Sequence, residues 1–368
     1  MAALRTVRVD SDGGSVGILI REAPLLKFPG ADSPEWGHFG VTDCNSPAHW
    51  DGQTLYVFNS SRHPWRNAGR DLFHLDAGHE RVRFDTEMSG GRWFESTWRD
   101  EHGVLYGWYH NEPDGVCPER RHARSVTAPR IGAARSTDNG LNWQDLGLIL
   151  EAPPDSLRCD TENFYFAGGN GDFSVIPDPA LQYFYFFIGT YHADPSEQGV
   201  SVARMACAER DRPVGKVWKW HEGRWQQPGL GGHVTPLFPA ARDWHRQDAD
   251  VLWGPSVHWN THLNRYVMLL NRARDANWKQ EGIYVTLSAD PGDPKGWSAP
   301  AKLMDRTDVI RDPAKEHGWY PQVMGTDAAL KETDTRAGRV ARLFVHGQSR
   351  WEILFLRPDE AQTPTAAG

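Results

Sequence analysis

The chain has 368 residues and a formal net charge of −8, which argues against the basic surface that a nucleic-acid or anionic-membrane partner would require. It contains 17 Trp, 36 Gly and 25 Pro, so turns and aromatic packing are expected throughout. The N-terminus lacks the apolar core of a signal peptide, and the longest aromatic-aliphatic run, at 183–188, is too short to span a bilayer. These features predict a cytoplasmic protein, or a secreted one if a leader has been removed. They do not indicate an oligomeric state.

A strand–turn–strand pattern recurs in chain order, and no segment has convincing helical periodicity. Its five copies lie at 46–61, 93–112, 171–191, 254–273 and, around a polar insertion, 319–349. Outer strands follow the second, third and fourth copies, which indicates units of four antiparallel strands. Five such units predict an all-β, five-bladed β-propeller. We expect one domain over residues 1–358 and a disordered tail at 359–368.

The segment 134–147, ARSTDNGLNWQDLG, predicts a tight hairpin between the second copy and its outer strand. Ser136 and Asp138 can bond the nearby backbone, and Asn139 and Gly140 tolerate positive φ. Trp143 can cover the turn with its ring. The expected role is structural, away from any reaction centre.

No metal motif is readable from the spacing of cysteine and histidine. Cys44, Cys117, Cys159 and Cys207 include no Cys-x-x-Cys pair, and the sequence neither requires nor excludes a disulfide. His258 and His262 are four residues apart, but no Glu follows the first, and the pair falls in a predicted hairpin turn. Both are therefore expected on the surface. No metal or cofactor is predicted.

Two copies begin with an Asp and continue into an aromatic strand: VTDCNSPAHWDGQTLYVFNSS and GDFSVIPDPALQYFYFFIGTY. In this pattern the chain resembles the five-bladed propeller glycoside hydrolases of family 43 and related arabinan-degrading enzymes. The hairpin ARSTDNGLNW resembles the Asp-box of sialidase-type propellers. The resemblance implies a carbohydrate substrate and allows a calcium ion on the axis, although no ligand cluster is readable. The chain departs from family 43 on the fourth inner strand, where LWGPS at 252–256 has no carboxylate in place of the general acid.

Because propeller inner strands all start at one face around the axis, acidic residues at those starts are expected to converge. The predicted catalytic groups are Asp43 as the general base, Asp172 as the group that tunes or orients the acid, and Glu95. Glu95 is either the acid or a strand residue paired with an arginine such as Arg92 or Arg99. The candidate substrate-binding residues are Trp36, His110, Glu112, Glu162, Trp253, Ser256, Tyr320 and Gln322.

Two other candidates compete for the acid role: His110 with Glu112, and the segment 160–163, which contains Glu162. His110 is equally well explained as a hydrogen-bonded structural histidine. Glu162 is better explained as a residue that caps or bonds a loop.

Three functions fit these residues. The first is a glycoside hydrolase acting on a polysaccharide or oligosaccharide through paired carboxyl groups. The second is a lyase on a uronic-acid polymer, in which His110 or a tyrosine removes a proton. The third is a non-catalytic sugar-binding propeller. The absence of a carboxylate on the fourth inner strand keeps the second and third open.

Overall fold

Short strands bounded by turn residues dominate the fold, as the sequence predicts. The computed structural model describes residues 3–11, 14–31, 42–117, 126–313 and 316–360. The strands in these ranges are β1 Ala3–Ser11, β2 Gly14–Lys27, β3 Ala48–Asp51, β4 Thr54–Asn59, β5 Trp65–Gly69, β6 Gly78–Arg81, β7 Arg83–Phe84, β8 Gly91–Arg99, β9 Leu105–Glu112, β10 Arg130–Ser136, β11 Asn142–Leu150, β12 Asn170–Pro177, β13 Tyr183–Thr190, β14 Gly199–Ala206, β15 Val217–His221, β16 Arg224–Pro228, β17 Phe238–Pro239, β18 Val251–Asn260, β19 Arg265–Ala273, β20 Gln280–Ser288, β21 Ala301–Asp305, β22 Pro321–Gly325, β23 Arg336–Ala337, β24 Val340–Val345 and β25 Gln348–Leu356. Helical structure in the same ranges is limited to α1 Arg306–Val309 and two 3₁₀ turns, Pro195–Glu197 and Cys207–Glu209. None of these helices has the length and apolar composition needed to cross a membrane.

The strands form five sheets, which are the five blades of a β-propeller. Blade I is β3–β6, and blade II is β8–β11 with β7 along its outer edge. Blade III is β12–β16 with β17 beside β14, and blade IV is β18–β21 with β23 beside β18. Blade V has the order β22-β24-β25-β2-β1. The inner strands of blades I to V are β3, β8, β12, β18 and β22, and consecutive ones contact each other around the axis.

The two ends of the chain meet in blade V, which the local sequence pattern did not reveal. Strand β2 pairs antiparallel with β25, so that Ile18 lies opposite Phe355 and Ile20 opposite Ile353. All four side chains are fully buried. N-terminal strands thus supply the outer half of the last blade and join the two ends of the ring.

The position of strand β13, YFYFFIGT, between neighbouring blades explains why its sequence is almost continuously apolar. Phe184 and Phe186 pack in one cluster with Trp108 of blade II. Tyr185 and Phe187 point the other way and pack with Val257 and other side chains of blade IV. Because successive strand residues face opposite sides, a strand held between two blades needs apolar residues on both faces.

The hairpin between β10 and β11 has the predicted bonding. The Ser136 Oγ accepts hydrogen bonds from the backbone N–H groups of Asp138 and Gly140, at 3.2 and 3.0 Å. The Asp138 carboxylate accepts from the N–H of Asn142 at 3.0 Å. The Trp143 indole is buried and donates to the carbonyl of Gly140 at 2.7 Å. The turn therefore closes the outer edge of blade II through its own side chains.

Cysteine and histidine positions differ in part from expectation. Cys117 and Cys159 form a disulfide, whereas Cys44 and Cys207 are free and buried. The surface prediction for His258 is wrong, since this residue lies within β18 and is 1% exposed. His262 lies in the following turn, where its Nε2 is 2.8 Å from a Glu360 oxygen.

Candidate active site

Five titratable side chains come together where blades I, II and III meet at the axis. Asp43 precedes β3, Glu95 lies in β8, His110 and Glu112 end β9, and Asp172 lies in β12. Their charges act on one another: Asp43 interacts with Glu112, Asp172 and His110, and Asp172 interacts with Glu95. The sequence thus anticipated which side chains converge, although their roles remain predictions.

Irregularities in the inner strands coincide with the acidic residues. The pairing register of β8 shifts between Phe94 and Ser96, at Glu95, and that of β12 shifts between Gly171 and Phe173, at Asp172. Such bulges redirect a side chain out of the strand alternation. Asp172 also has a φ of 47°, a left-handed conformation that is costly for a residue other than glycine.

Glu95 is buried and bonded through both carboxylate oxygens. Oε1 lies 2.5 Å from the Nδ1 of His110, and Oε2 accepts the backbone N–H of Phe173 at 3.0 Å. Burial raises the pKa of Glu95, and attraction to His110 opposes that rise. The suggested arginine pairing is wrong, since Arg92 pairs with Asp145 and Arg99 with Asp51.

Asp172 is also buried, and one of its oxygens accepts a hydrogen bond from the Tyr191 hydroxyl at 2.5 Å. Burial, together with the charge of Glu95, raises the pKa of Asp172 to about 7. Neither Asp172 nor Glu95 presents an open carboxyl surface to solvent.

Asp43 and Glu112 are the acidic groups of this cluster that remain partly exposed. The indole N–H of Trp93 donates to Asp43 at 3.2 Å, and a Glu112 oxygen lies 3.5 Å from the Nε2 of His110. Burial, with repulsion from Glu112, raises the pKa of Asp43 well above its usual range.

His110 lies between two carboxylates and is 2% exposed. Its ring stacks on Trp93 with centroids 4.9 Å apart. Burial opposes its charged form, but attraction to Glu95 and Glu112 outweighs that effect, so the pKa of His110 lies well above its usual value. The histidine is therefore held inside the protein between Glu95 and Glu112.

Tyr320, from the segment before β22, belongs to the same region. Its φ is 58°, and its pKa is raised by burial and by the charges of Asp172, Cys44 and Asp43. A tyrosine that stays protonated beside carboxylates is available as a hydrogen-bond donor. This position agrees with its prediction as a substrate-binding residue, without testing it.

Several other candidates do not fit direct contact with substrate. Trp253 is fully buried beneath Tyr320, with ring centroids 5.6 Å apart, so its face is unavailable for stacking on a sugar. Ser256 is buried in β18, and both amide atoms of Gln322 bond the backbone of Ser46 across blades V and I.

The remaining two candidates lie apart from the cluster or outside the described residues. Glu162 is exposed, accepts the backbone N–H of Gln247 and lines a surface cleft with Arg158 and Asp248. This agrees with a loop-bonding role. Trp36 lies outside the described residues.

Sequence reasoning missed Cys44, which follows Asp43 directly and projects into the same cluster. Its Sγ lies 3.9 Å from His110 Nδ1 and 3.9 Å from Asp172 Oδ1. Cys44, Glu95, His110 and Asp172 each offer one possible metal-ligand atom, all within 4.8 Å of one another. The sequence offered no readable spacing for this cluster because its members come from three separate blades.

No protein-family model matches the chain, and no curated protein matches it. Solved structures similar to it include a variant of the exo-β-1,3-galactanase from Phanerochaete chrysosporium with β-1,3-galactotriose (TM-score 0.49, 11% identity, 91% of this chain and 64% of that chain). Another is the exo-β-1,3-galactanase from Clostridium thermocellum (TM-score 0.46, 10% identity, 91% and 62%). A third is the catalytic domain of the GH62 α-L-arabinofuranosidase from Coprinopsis cinerea (TM-score 0.48, 10% identity, 93% and 97%).

The chain therefore spans less than two thirds of both galactanase chains. Identities of 10 to 11% and TM-scores below 0.5 leave function to be argued from the site itself.

Proposed function

We propose that this protein is a glycoside hydrolase and that Asp43 and Glu112 supply its two reacting carboxyl groups. Hydrolysis of a glycosidic bond needs one carboxyl group to protonate the leaving oxygen and another to activate water or attack the anomeric carbon. The observation that carries the proposal is the difference in exposure: Asp43 and Glu112 are partly exposed, whereas Glu95 and Asp172 are buried.

The bonding of the two carboxyl groups suggests how they divide the work. Burial and repulsion from Glu112 raise the pKa of Asp43, and the hydrogen bond from Trp93 opposes that rise, so Trp93 is the contact that favours the charged form a general base requires. Glu112 then serves as the general acid, because the fourth inner strand has no carboxylate to fill that role. Glu95, His110 and Asp172 act as positioning residues beneath this pair.

The alternative lyase reaction is less well supported, because its base would have to reach the sugar. His110 is 2% exposed, and its two ring nitrogens face Glu95 and Glu112. A sugar-binding propeller without activity would not need two partly exposed carboxyl groups next to a buried histidine.

The test is turnover on a substrate panel that includes β-1,3-galactan and aryl α-L-arabinofuranosides, recorded as reducing sugar and as ultraviolet absorbance. We expect reducing ends without a new ultraviolet-absorbing double bond. Asp43→Asn and Glu112→Gln should each lower turnover by roughly 10²- to 10⁴-fold, the contribution of a positioned acid or base. Glu101→Gln is the matched control, because Glu101 is exposed in the β8–β9 turn.

Aryl glycosides with good leaving groups separate the two roles. They should restore much of the turnover of Glu112→Gln, since such leaving groups need little protonation, but not that of Asp43→Asn. The opposite pattern would reverse the roles. Near-native turnover in both variants would contradict the proposal, an unsaturated product would indicate a lyase, and binding without turnover would indicate a sugar-binding protein.

We also infer that the protein works in an oxidising compartment. The disulfide between Cys117 and Cys159 supports this inference, because stable disulfides are rare where glutathione keeps thiols reduced. It favours the exported alternative over the cytoplasmic prediction. Fractionation of the source cells tests it, and recovery of the protein with reduced cysteines from the cytoplasm would contradict it.

A further inference from the structure

Four buried side chains of the cluster have donor atoms close enough together to bind one metal ion. Cys44, Glu95, His110 and Asp172 each offer one ligand atom, and these atoms lie within 4.8 Å of one another. All four side chains are buried, at 2% exposure or less. We propose that they bind one Zn²⁺ ion at the axis of the propeller.

The second oxygen of two ligands, Glu95 and Asp172, is already hydrogen-bonded on the outer side of the cluster, and the second ring nitrogen of His110 faces a carboxylate. Glu95 Oε2 accepts the Phe173 N–H, and Asp172 Oδ2 accepts the Tyr191 hydroxyl. His110 Nε2 faces Glu112 at 3.5 Å. Outer partners of this kind orient the ligands of protein metal sites. The inner atoms Glu95 Oε1 and His110 Nδ1 share a hydrogen bond of 2.5 Å, which a bound ion would replace.

The donor set selects the metal. A thiolate and an imidazole with two carboxylate oxygens suit zinc, whereas calcium and magnesium take oxygen ligands. Four protein ligands fill a tetrahedral shell, as in structural zinc sites, and leave no position for water or substrate. The ion would therefore hold blades I, II and III together and would not act on the substrate itself.

Acidic side chains crowd around one imidazole in this cluster, and a bound cation would relieve that crowding. The thiol of Cys44 and the carboxyl groups of Glu95 and Asp172 lie around the imidazole of His110, and Glu112 lies on its other side. Like charges in a buried site repel one another. Zinc binding would release the Cys44 thiol proton and the proton between Glu95 and His110.

Metal content of the full-length protein tests the proposal independently of activity. The protein is stripped with a chelator, reloaded with ZnCl₂, desalted and analysed by mass spectrometry for zinc. We expect about one zinc per chain in the wild type, as one closed four-ligand site requires. Cys44→Ser should weaken zinc binding by at least roughly 100-fold, the upper range for loss of even an outer partner. Cys207→Ser, which removes the other free buried cysteine, should keep the metal.

Cobalt gives a second measurement. Co²⁺ in this site should show the thiolate-to-cobalt absorption band in the wild type and in Cys207→Ser, and the band should be absent in Cys44→Ser. If Cys44→Ser does not fold, the cobalt spectrum and the zinc content of the wild type still decide whether the site binds a metal ion. A wild-type protein that takes up neither metal stoichiometrically, or a thiolate band that survives Cys44→Ser, would overturn the proposal and leave a purely hydrogen-bonded cluster.

The experiments can contradict the zinc site and the proposed hydrolase activity independently of each other. Asp43→Asn removes neither a ligand nor an outer partner of a ligand, so this variant should bind zinc as the wild type does. Glu112→Gln replaces the outer partner of His110 and should weaken zinc binding by roughly 10- to 100-fold. Loss of turnover with retained zinc in Asp43→Asn supports both proposals. A wild type that hydrolyses glycosides but takes up no zinc on reloading would overturn the metal site alone.

Discussion

Removal of the disulfide should lower stability by an amount that follows from its position. The bond joins residues 42 positions apart, linking the segment just after β9 to the loop before β12. In the chain-entropy model, closing a loop of that length stabilises the native state by about 4 kcal/mol. For a chain of 368 residues this corresponds to a fall in melting temperature of about 5 °C. The predicted variant is Cys117→Ser with Cys159→Ser, and Cys207→Ser is the control.

Urea unfolding followed by tryptophan fluorescence measures the loss. Thiol titration of the denatured wild type should detect Cys44 and Cys207, and reduction should add Cys117 and Cys159. The double variant should also lower turnover, because the disulfide restrains the chain shortly after Glu112. A loss of stability under ~1 kcal/mol, or four free thiols before reduction, would refute this reasoning.

Two further predictions concern stability. Asp138→Ala removes an acceptor for the backbone N–H groups of Leu141 and Asn142, so the free energy of unfolding in urea should fall by about 1 to 2 kcal/mol; an unchanged value, as expected for the exposed control Glu101→Ala, would contradict it. Burial lowers the pKa of Lys219 from 10.5 to about 7, so above pH 7 the unfolded chain keeps a proton that the folded chain has released. The stability of the wild type relative to Lys219→Met should therefore rise by about 1.4 kcal/mol per pH unit from pH ~7 to ~9, and a flat difference would show that the ammonium stays charged.

The sequence by itself determined the architecture and much of the site's membership. Alternation and turn residues act over a few positions, so the repeated strand pairs and the Ser136–Trp143 hairpin could be predicted locally. Asp43, Glu95 and Asp172 could be grouped because the inner strands of a propeller share one orientation. The hairpin in particular depends on bonds between residues at most four positions apart.

Only the tertiary structure decided which of these groups are buried and which are partly exposed. Glu95 and Asp172 lie at strand irregularities and are buried, while Asp43 and Glu112 stay partly exposed. The contact of Cys44 with Asp172 spans 128 positions. The sequence gives no local sign of such a contact or of the depth at which a side chain lies. Both depend on how separate blades pack around a common axis.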